Sequence, residues 1–300
     1  MLATAVAPSA WGLTYLVTSE LLTPDRPLLA AAVRALPAGL LLVLLSRRLP
    51  SGSWWWRSAV LGLLNIGLFF SLLFVAAYRL PGGVAAVVGA VQPLVVAGLA
   101  AGLAGERLRR RTAVAGAAGV VGVGLLVLGG DARLDLVGVL AALGGAVSMA
   151  VGVVLTKRWG RPAPLLAMTG WQLVAGGTLL LPVVAAVEGP LPATLTPANL
   201  AGVGYLSLVG TALAYVLWFR GIHRLPVTQV TFLGLLAPVV AAFAGWVVLG
   251  QSLTLLQGLG ALVVLGALVV SQLGSRPAPL PEGLGVPAPG CRWPQASSNA

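Results

Sequence analysis

The chain has 300 residues, of which 58% are hydrophobic and only 8% charged, and its formal net charge is +11. Soluble domains carry roughly 25% charged residues, so this composition excludes a soluble protein and indicates an integral membrane protein. The positive charge could suggest nucleic acid, but the basic residues lie in short loops between apolar segments, where membrane topology explains them better. We therefore expect a lipid bilayer around the chain and no nucleic-acid partner.

Ten segments are apolar and long enough to cross a bilayer, for which a helix needs about 20 residues. The first continues past the length of a signal-peptide core and has no basic region before it, so it is interpreted as a span. The sequence thus predicts an all-α membrane protein with ten transmembrane helices. They cover residues 2–22, 27–46, 58–78, 82–104, 112–129, 135–156, 163–186, 198–219, 226–249 and 255–273.

The basic residues predict the orientation of these spans, because cytoplasmic loops carry an excess of Lys and Arg. With a cytoplasmic N-terminus, fourteen of the 18 basic residues fall in inner loops or the tail, three fall in outer loops, and Arg34 lies within a span. We expect a multi-pass protein of the cell membrane with both termini in the cytoplasm. Residues 54–56, three tryptophans before the third span, are predicted interfacial anchors. Residues 274–300 are predicted to be a disordered cytoplasmic tail.

A pattern in the fourth span returns in the ninth at a constant offset of 145 positions. The two copies are Arg79-Leu80-Pro81, Gly89, Pro93 and Gly105-Glu106 in the first half, and Arg224-Leu225-Pro226, Gly234, Pro238 and Gly250-Gln251 in the second. A gapless offset indicates an internal repeat. It predicts two five-helix repeats, residues 1–134 and 135–273. Because five is odd, the second repeat must enter the membrane in the inverted orientation.

Each copy has a proline near the middle of its span. Proline lacks an N–H and crowds the carbonyl four residues earlier, here that of Gly89 or Gly234. We expect both helices to bend there and to face a shared polar cavity. Gly89, Pro93, Gly234 and Pro238 are therefore the predicted gating residues. Ordinary kinks between packed helices are the alternative interpretation.

Polar side chains within the spans are candidates for a substrate site. Arg34 is the one ionisable residue well inside a span. It could bind a substrate carboxylate, or it could brace helices by bonding a freed carbonyl. No carboxylate lies at mid-membrane, so we expect facilitated exchange or weak coupling rather than proton-driven transport. The candidate substrate-binding residues are Trp11, Arg34, Asn65, Gln92, Trp171, Gln172, Tyr215 and Gln229.

These features resemble the EamA-type family of the drug/metabolite transporter superfamily. The resemblance covers residues 1–273 and implies ten helices around a central cavity that opens alternately to the two sides. Members of that family move small metabolites, amino acids or drugs, commonly outward. The second Gly-Glu of the pattern is Gly250-Gln251 here, so any role of that carboxylate is absent. The residues that carry the resemblance are Trp11-Gly12, Arg34, Pro93 with Gly105-Glu106-Arg107-Leu108, and Pro238 with Gly250-Gln251-Ser252-Leu253-Thr254.

The sequence favours a secondary active transporter of small metabolites, namely an exporter of amino acids or related small organic compounds or drugs, that works by alternating access. Import or facilitative exchange, a passive channel and a non-transporting membrane subunit stay open as alternatives. An enzyme is disfavoured, because the chain has no carboxylate pairs or histidine clusters and only one histidine and one cysteine, His223 and Cys291. Neither a metal nor another cofactor is expected. The substrate, its direction, the coupling ion and the oligomeric state stay open.

Overall fold

The structure is a computed structural model that describes residues 2–104, 110–128, 135–192, 194–222, 233–234 and 236–273. Within these ranges every regular element is helical, which confirms the all-α prediction. The first half contains α1 (Leu2–Gly12), α2 (Thr14–Leu21), α3 (Pro27–Ser46), α4 (Trp54–Gly62), π1 (Leu63–Leu68), α5 (Phe69–Arg79), α6 (Gly82–Gly89), α7 (Gln92–Ala104) and α8 (Arg110–Leu128). The second half contains α9 (Leu136–Trp159), α10 (Leu165–Val187), α11 (Pro197–Gly204), π2 (Tyr205–Leu213), α12 (Ala214–Ile222), α13 (Leu236–Leu249) and α14 (Leu255–Leu273).

Six helical segments in the described ranges are long and apolar enough to cross a membrane. Three shorter apolar helices, Ala113–Leu125, Leu236–Leu249 and Leu255–Val270, coincide with further predicted spans. The number ten therefore stays a prediction, while a multi-pass membrane protein is evident. The six segments are Pro27–Ser46, Trp54–Arg79, Gly82–Leu99, Leu136–Trp159, Leu165–Val187 and Pro197–Trp218.

Two predicted spans are interrupted rather than continuous. The first is divided at Leu13 into α1 and α2, which the sequence pattern did not indicate. The fourth breaks at Ala90 and Val91, and α7 then begins at Gln92. Near the bend expected at Pro93 the helix is thus irregular over two residues, with Pro93 in the first turn of α7, where the missing N–H is not needed.

The helices pack in pairs that join the first half of the chain to the second. The pairs are α1 and α2 with α11, π2 and α12; α3 with α10; α4, π1 and α5 with α9; α6 with α13; and α8 with α14. In the central pair, α3 and α10 run antiparallel, because Leu28 lies beside Glu188 at one end and Arg48 beside Trp171 at the other. The core is therefore a contact surface between the two halves.

Glycine permits the closest of these approaches. A Cβ added at Gly39 of α3 would lie 2.8 Å from Leu173 Cβ and from the Val174 nitrogen of α10. A Cβ added at Gly176 of α10 would likewise lie 2.7 Å from the Cβ of Ile66 in π1. Small residues allow membrane helices to come into backbone contact, which substitutes for the hydrophobic driving force that lipid removes. Helix α10 is thereby held against both α3 and π1.

Candidate functional site

The second π-helical segment, π2, carries the main polar cluster of the buried interior. A π-helix closes its hydrogen bonds over five residues instead of four and occurs frequently at functional sites. Here the Thr211 hydroxyl donates to the Leu206 carbonyl, five residues earlier, at 2.8 Å. The Gly210 carbonyl accepts two side-chain hydrogen bonds, from Trp11 Nε1 at 3.1 Å and from Arg34 Nη2 at 3.3 Å. Residues far apart in sequence thus meet at one irregular turn.

Arg34 is the centre of this cluster. Its side chain is only 4% exposed, and its Nε donates to Thr211 Oγ1 at 3.0 Å. The guanidinium also lies over the ring of Phe70, 4.5 Å from its centroid. Among the described residues, its buried Nη1 has no hydrogen-bond partner, and no carboxylate forms an ion pair with Arg34. The bracing role considered for Arg34 is observed in its bonds to π2, while one donor group stays available for an anion.

Aromatic rings border the same cluster. The Trp11 ring lies 5.9 Å from that of Tyr215 and 5.3 Å from that of Trp218, the latter in an edge-on arrangement. The Tyr205 hydroxyl donates to the Ala10 carbonyl beside them. The structure therefore brings three predicted site residues together: Trp11, Arg34 and Tyr215. Such a combination of a cation and amphipathic rings suits a ligand with an anionic group and an apolar body.

The first π-helical segment, π1, carries a second, uncharged cluster. Asn65 Nδ2 donates to Gln172 Oε1 at 2.7 Å, and Ser148 Oγ donates to the Leu64 carbonyl at 2.7 Å. Asn65 Oδ1 is buried without a partner among the described groups. Gly152 leaves the space for this amide, since an added Cβ there would overlap Asn65 Oδ1. The predicted site residues Asn65 and Gln172 are thus paired with each other.

The two π-helical segments occupy matching positions in the two halves. Adding the repeat offset of 145 to residues 63–68 gives residues 208–213, which lie within π2. Each segment also forms side-chain hydrogen bonds with the opposite half of the chain. Hydrophobic periodicity does not distinguish a π turn from an α turn, so only the repeat offset could have related them.

Glu188 has a role that sequence reasoning missed. The residue follows α10, and its carboxylate accepts hydrogen bonds from the backbone N–H groups of Leu28 at 2.6 Å and Leu29 at 2.9 Å. These are free N–H groups in the first turn of α3, where a negative charge also favours the helix dipole. The end of α10 therefore fixes the start of the helix that carries Arg34. A charged residue near a helix end was the only available sequence signal.

Two other predicted site residues lie outside both clusters, and a third lies outside the described residues. Trp171, expected to line a cavity at mid-membrane, instead lies near the start of α10, where its Nε1 donates to the Arg48 carbonyl at 2.7 Å. It packs there with Trp54 and Met168, apart from the residues around π2. Gln92 is the first residue of α7, half-buried just after the interruption. Gln229 lies outside the described residues.

The predicted gating helices touch at one end. The Gly82 N–H at the start of α6 donates to Gln251 Oε1, beyond the end of α13, at 3.2 Å. A Cβ added at Gly83 would lie 3.0 Å from the Cα of Ala242. After the interruption, α7 packs instead against α8, α9 and α14. Gln251, which replaces the glutamate of the first copy, thus closes this end with a neutral amide. A small cavity lies beside it, lined by residues that include Tyr15, Ser19, Gly82, Ala241 and Gln251.

An all-helical chain with several apolar helices of membrane-spanning length, and with polar clusters buried between them, is a multi-pass membrane protein of the transporter type. The EamA-like transporter family matches it twice, over residues 1–128 and again over residues 136–272. The chain therefore belongs to the EamA-like transporter family. This family implies a small-molecule substrate and a lipid bilayer, and its members are transporters rather than enzymes.

Individual relatives agree with this membership. The chain is 47% identical over 268 residues to Protein PecM of Dickeya dadantii (strain 3937), covering 89% of this chain and 90% of that protein. It is 31% identical over 269 residues to the uncharacterized inner membrane transporter YedA of Escherichia coli (strain K12), covering 88% and 87%. It is 27% identical over 285 residues to a probable amino-acid metabolite efflux pump of Salmonella typhimurium (strain LT2), covering 89% and 92%.

A solved structure shares the fold. The structure, titled "Crystal structure of protein", covers 91% of this chain and 96% of its own, with a TM-score of 0.64 and 23% sequence identity. At that identity the likeness concerns the arrangement of helices alone. It shows that the same arrangement of helices occurs in another protein. It says nothing about the side chains of π1 and π2.

Proposed function

We propose that this protein is a secondary transporter that exports small organic metabolites, amino acids or related carboxylates among them, by alternating access. The observation that carries this proposal is the Arg34 guanidinium, which is buried next to π2 and whose Nη1 has no hydrogen-bond partner in the part of the chain that the structure describes. A charged side chain in a bilayer is costly, about 2.5–3.5 kcal/mol on insertion scales, and usually marks a transport pathway. A substrate carboxylate would supply the missing counter-charge.

The proposed binding residues follow from the geometry of the two clusters. Arg34 and Trp11 would hold the anionic group and the apolar body of the substrate, with Tyr215 completing the aromatic wall. Asn65 and Gln172 would contact its other polar groups, since Asn65 Oδ1 offers an unused acceptor. Gln92 and Gln229 stay proposed contributors from the fourth and ninth spans. The Salmonella relative, by its name an efflux pump for amino-acid metabolites, supports export and this substrate class.

We further propose that the two halves form inverted repeats that move relative to one another. The cross-half helix pairs, the antiparallel α3 and α10, and the matching positions of π1 and π2 support this arrangement. Gly89, Pro93, Gly234 and Pro238 would then mark the points where the fourth and ninth spans flex. The Gly82–Gln251 contact joins these helices at one end, which on the predicted topology is the outer one. On this proposal the contact would belong to a state closed to the outside.

The test begins with the purified protein. Amino acids, hydroxy acids and aromatic carboxylates are screened for an increase in its melting temperature, and every stabilising compound enters counter-flow measurements in proteoliposomes. Export predicts saturable uptake of labelled compound into vesicles preloaded with the unlabelled one, and net flux in the outward direction of the native membrane. Net flux in the inward direction would establish an importer instead. Binding without any flux would support the non-transporting membrane subunit and contradict this proposal.

A further inference from the structure

A nest of three tryptophan rings encloses Arg57 at one end of the helices. The Arg57 Cζ lies 5.5 Å from the ring centroid of Trp54, 5.6 Å from that of Trp56 and 5.6 Å from that of Trp159. The Trp56 and Trp159 rings meet edge-on at 5.2 Å. These contacts fix the guanidinium in one place, since each ring face attracts a cation. The transport mechanism proposed above makes no use of this nest.

The nest is partly buried and partly open to the surroundings. Trp54 is only 8% exposed and belongs to the buried cluster around Trp171, whereas Trp56 is 53% exposed. The Nε of Arg57 is buried and has no hydrogen-bond partner among the described groups. Tryptophan rings with one apolar and one polar side prefer the depth of the lipid headgroups. The nest therefore holds a cation with unused donor capacity at headgroup level.

Several basic residues lie at the same end of the molecule as the nest, and the described carboxylates lie at the other end. The end of α3, the end of α9 and the following loop all reach this end of the molecule, and their basic side chains are exposed. The four described acidic residues lie at the opposite end. Glu188 accepts a hydrogen bond from the start of α3, Asp135 forms an ion pair with Arg79, Asp25 precedes α3, and Glu20 lies in the last turn of α2. The basic residues near the nest are Arg47, Arg48, Lys157, Arg158 and Arg161.

We propose that the Arg57 nest binds the phosphate of an anionic phospholipid headgroup. The guanidinium would pair with the phosphate through its planar donors, the geometry for which arginine is suited. The exposed rings of Trp55 and Trp56 would lie along the glycerol and upper acyl chain, and the neighbouring cations would favour an anionic lipid over a neutral one. On the predicted topology, the nest faces the cytoplasmic leaflet.

The test measures binding and does not depend on transport. The purified protein in neutral detergent is titrated with phosphatidylglycerol, with phosphatidylcholine of the same acyl chains, and with inorganic phosphate, and its melting temperature is followed. We expect several degrees of stabilisation from phosphatidylglycerol only. Equal effects of the two lipids would overturn the proposal. The same stabilisation by inorganic phosphate would assign the nest to free phosphate and would equally overturn it.

Variants locate the effect within the basic end of the molecule. Arg57→Gln should abolish the preference for phosphatidylglycerol, whereas Arg161→Gln, which removes a nearby exposed cation outside the nest, should retain most of it. Arg57→Lys keeps the charge without the planar donors and should fall between them. Because Arg57→Gln could impair folding, the wild-type protein is also examined with phosphatidylglycerol brominated in the upper acyl chain. Tryptophan quenching no stronger than with brominated phosphatidylcholine would contradict the site without any variant.

Discussion

The two π-helical segments share a backbone irregularity but have opposite chemistry. Both lie in the middle of a membrane-spanning segment, and both receive side-chain donors from the other half of the chain. Around π1 the partners are an amide pair and a serine; around π2 they are an arginine, a tryptophan and a threonine. Among the described residues, each cluster contains a buried polar atom without a hydrogen-bond partner: the acceptor Oδ1 of Asn65 near π1 and the donor Nη1 of Arg34 near π2. A repeated backbone can therefore carry an asymmetric site through side chains alone.

The largest effect is expected from removing the charge beside π2. Arg34→Met should lower counter-flow about tenfold or more, because a hydrogen bond to a charged group contributes about 1.5–3 kcal/mol. Its melting temperature should change little, since a buried methionine avoids the desolvation cost of the cation. Asn65→Leu, at π1, should reduce flux less. If Arg34→Met transports normally but melts much earlier, Arg34 serves only as a brace.

The next effect comes from crowding π1. Gly152→Ala would place a Cβ onto Asn65 Oδ1, and such overpacking costs about 1–3 kcal/mol. Gly144→Ala on the same helix is the matched control, because its Cβ would lie 3.4 Å from Leu72 Cδ1, an ordinary contact. Thermal unfolding in detergent should separate the two variants clearly. Equal melting temperatures would mean that the Asn65 amide has room to rotate away.

A smaller difference in stability is expected between two variants that each remove one side-chain hydrogen bond to a backbone carbonyl, one in π1 and one in π2. Ser148→Ala removes the side-chain donor to the Leu64 carbonyl, whereas Trp11→Phe removes one of two donors to the Gly210 carbonyl. Hydrogen bonds between membrane helices contribute about 0.6–1.7 kcal/mol. We expect Ser148→Ala to destabilise the protein by about 1 kcal/mol and Trp11→Phe by about half as much. A larger loss for Trp11→Phe in thermal unfolding would show that the ring contacts dominate.

The smallest expected effect on stability comes from Asp135, which lies outside both π-helical segments. Hydrogen bonds from Arg79 and from the Gly138 N–H hold the pKa of Asp135 below its ordinary value of 3.8. Its contribution to stability is therefore fully present above that value and is lost as the pH falls through the lowered pKa. Asp135→Asn should lower the melting temperature slightly at pH 7 and not at all at strongly acidic pH. A drop comparable to that of Gly152→Ala would contradict this ranking.

Much of the architecture follows from hydrophobic length alone. The span predicted at 27–46 coincides with α3, and the interruption of the fourth span comes three residues before Pro93, as its ring requires. The division of the first span at Leu13 and the π turns could not be predicted, since no residue there demands them. Partners such as Glu188 and Leu28, 160 positions apart, depend on tertiary packing, which local pattern does not encode.

The positions of the candidate site residues, like those of the helices, could be anticipated from the sequence only in part. Arg34 stood out because a cation in an apolar span needs a reason, and Trp11 and Tyr215 do lie beside it. Trp171 lies one to two turns after the start of α10, and its bond to the Arg48 carbonyl could not be inferred from the sequence. The pairing of Asn65 with Gln172 required knowledge of which helices are neighbours. The sequence shows that a polar residue lies within an apolar segment, but it does not show which residues that side chain contacts.

The capping of α3 by Glu188 has a consequence for biosynthesis. When the first five segments have left the ribosome, the Leu28 and Leu29 amides, the Asn65 amide and the Arg34 guanidinium still await partners that are encoded beyond residue 171. The first half alone therefore leaves these groups without the partners that they have in the complete fold until α10 and π2 are made. Expressing the two halves from separate genes would recover a working protein only if both are made together.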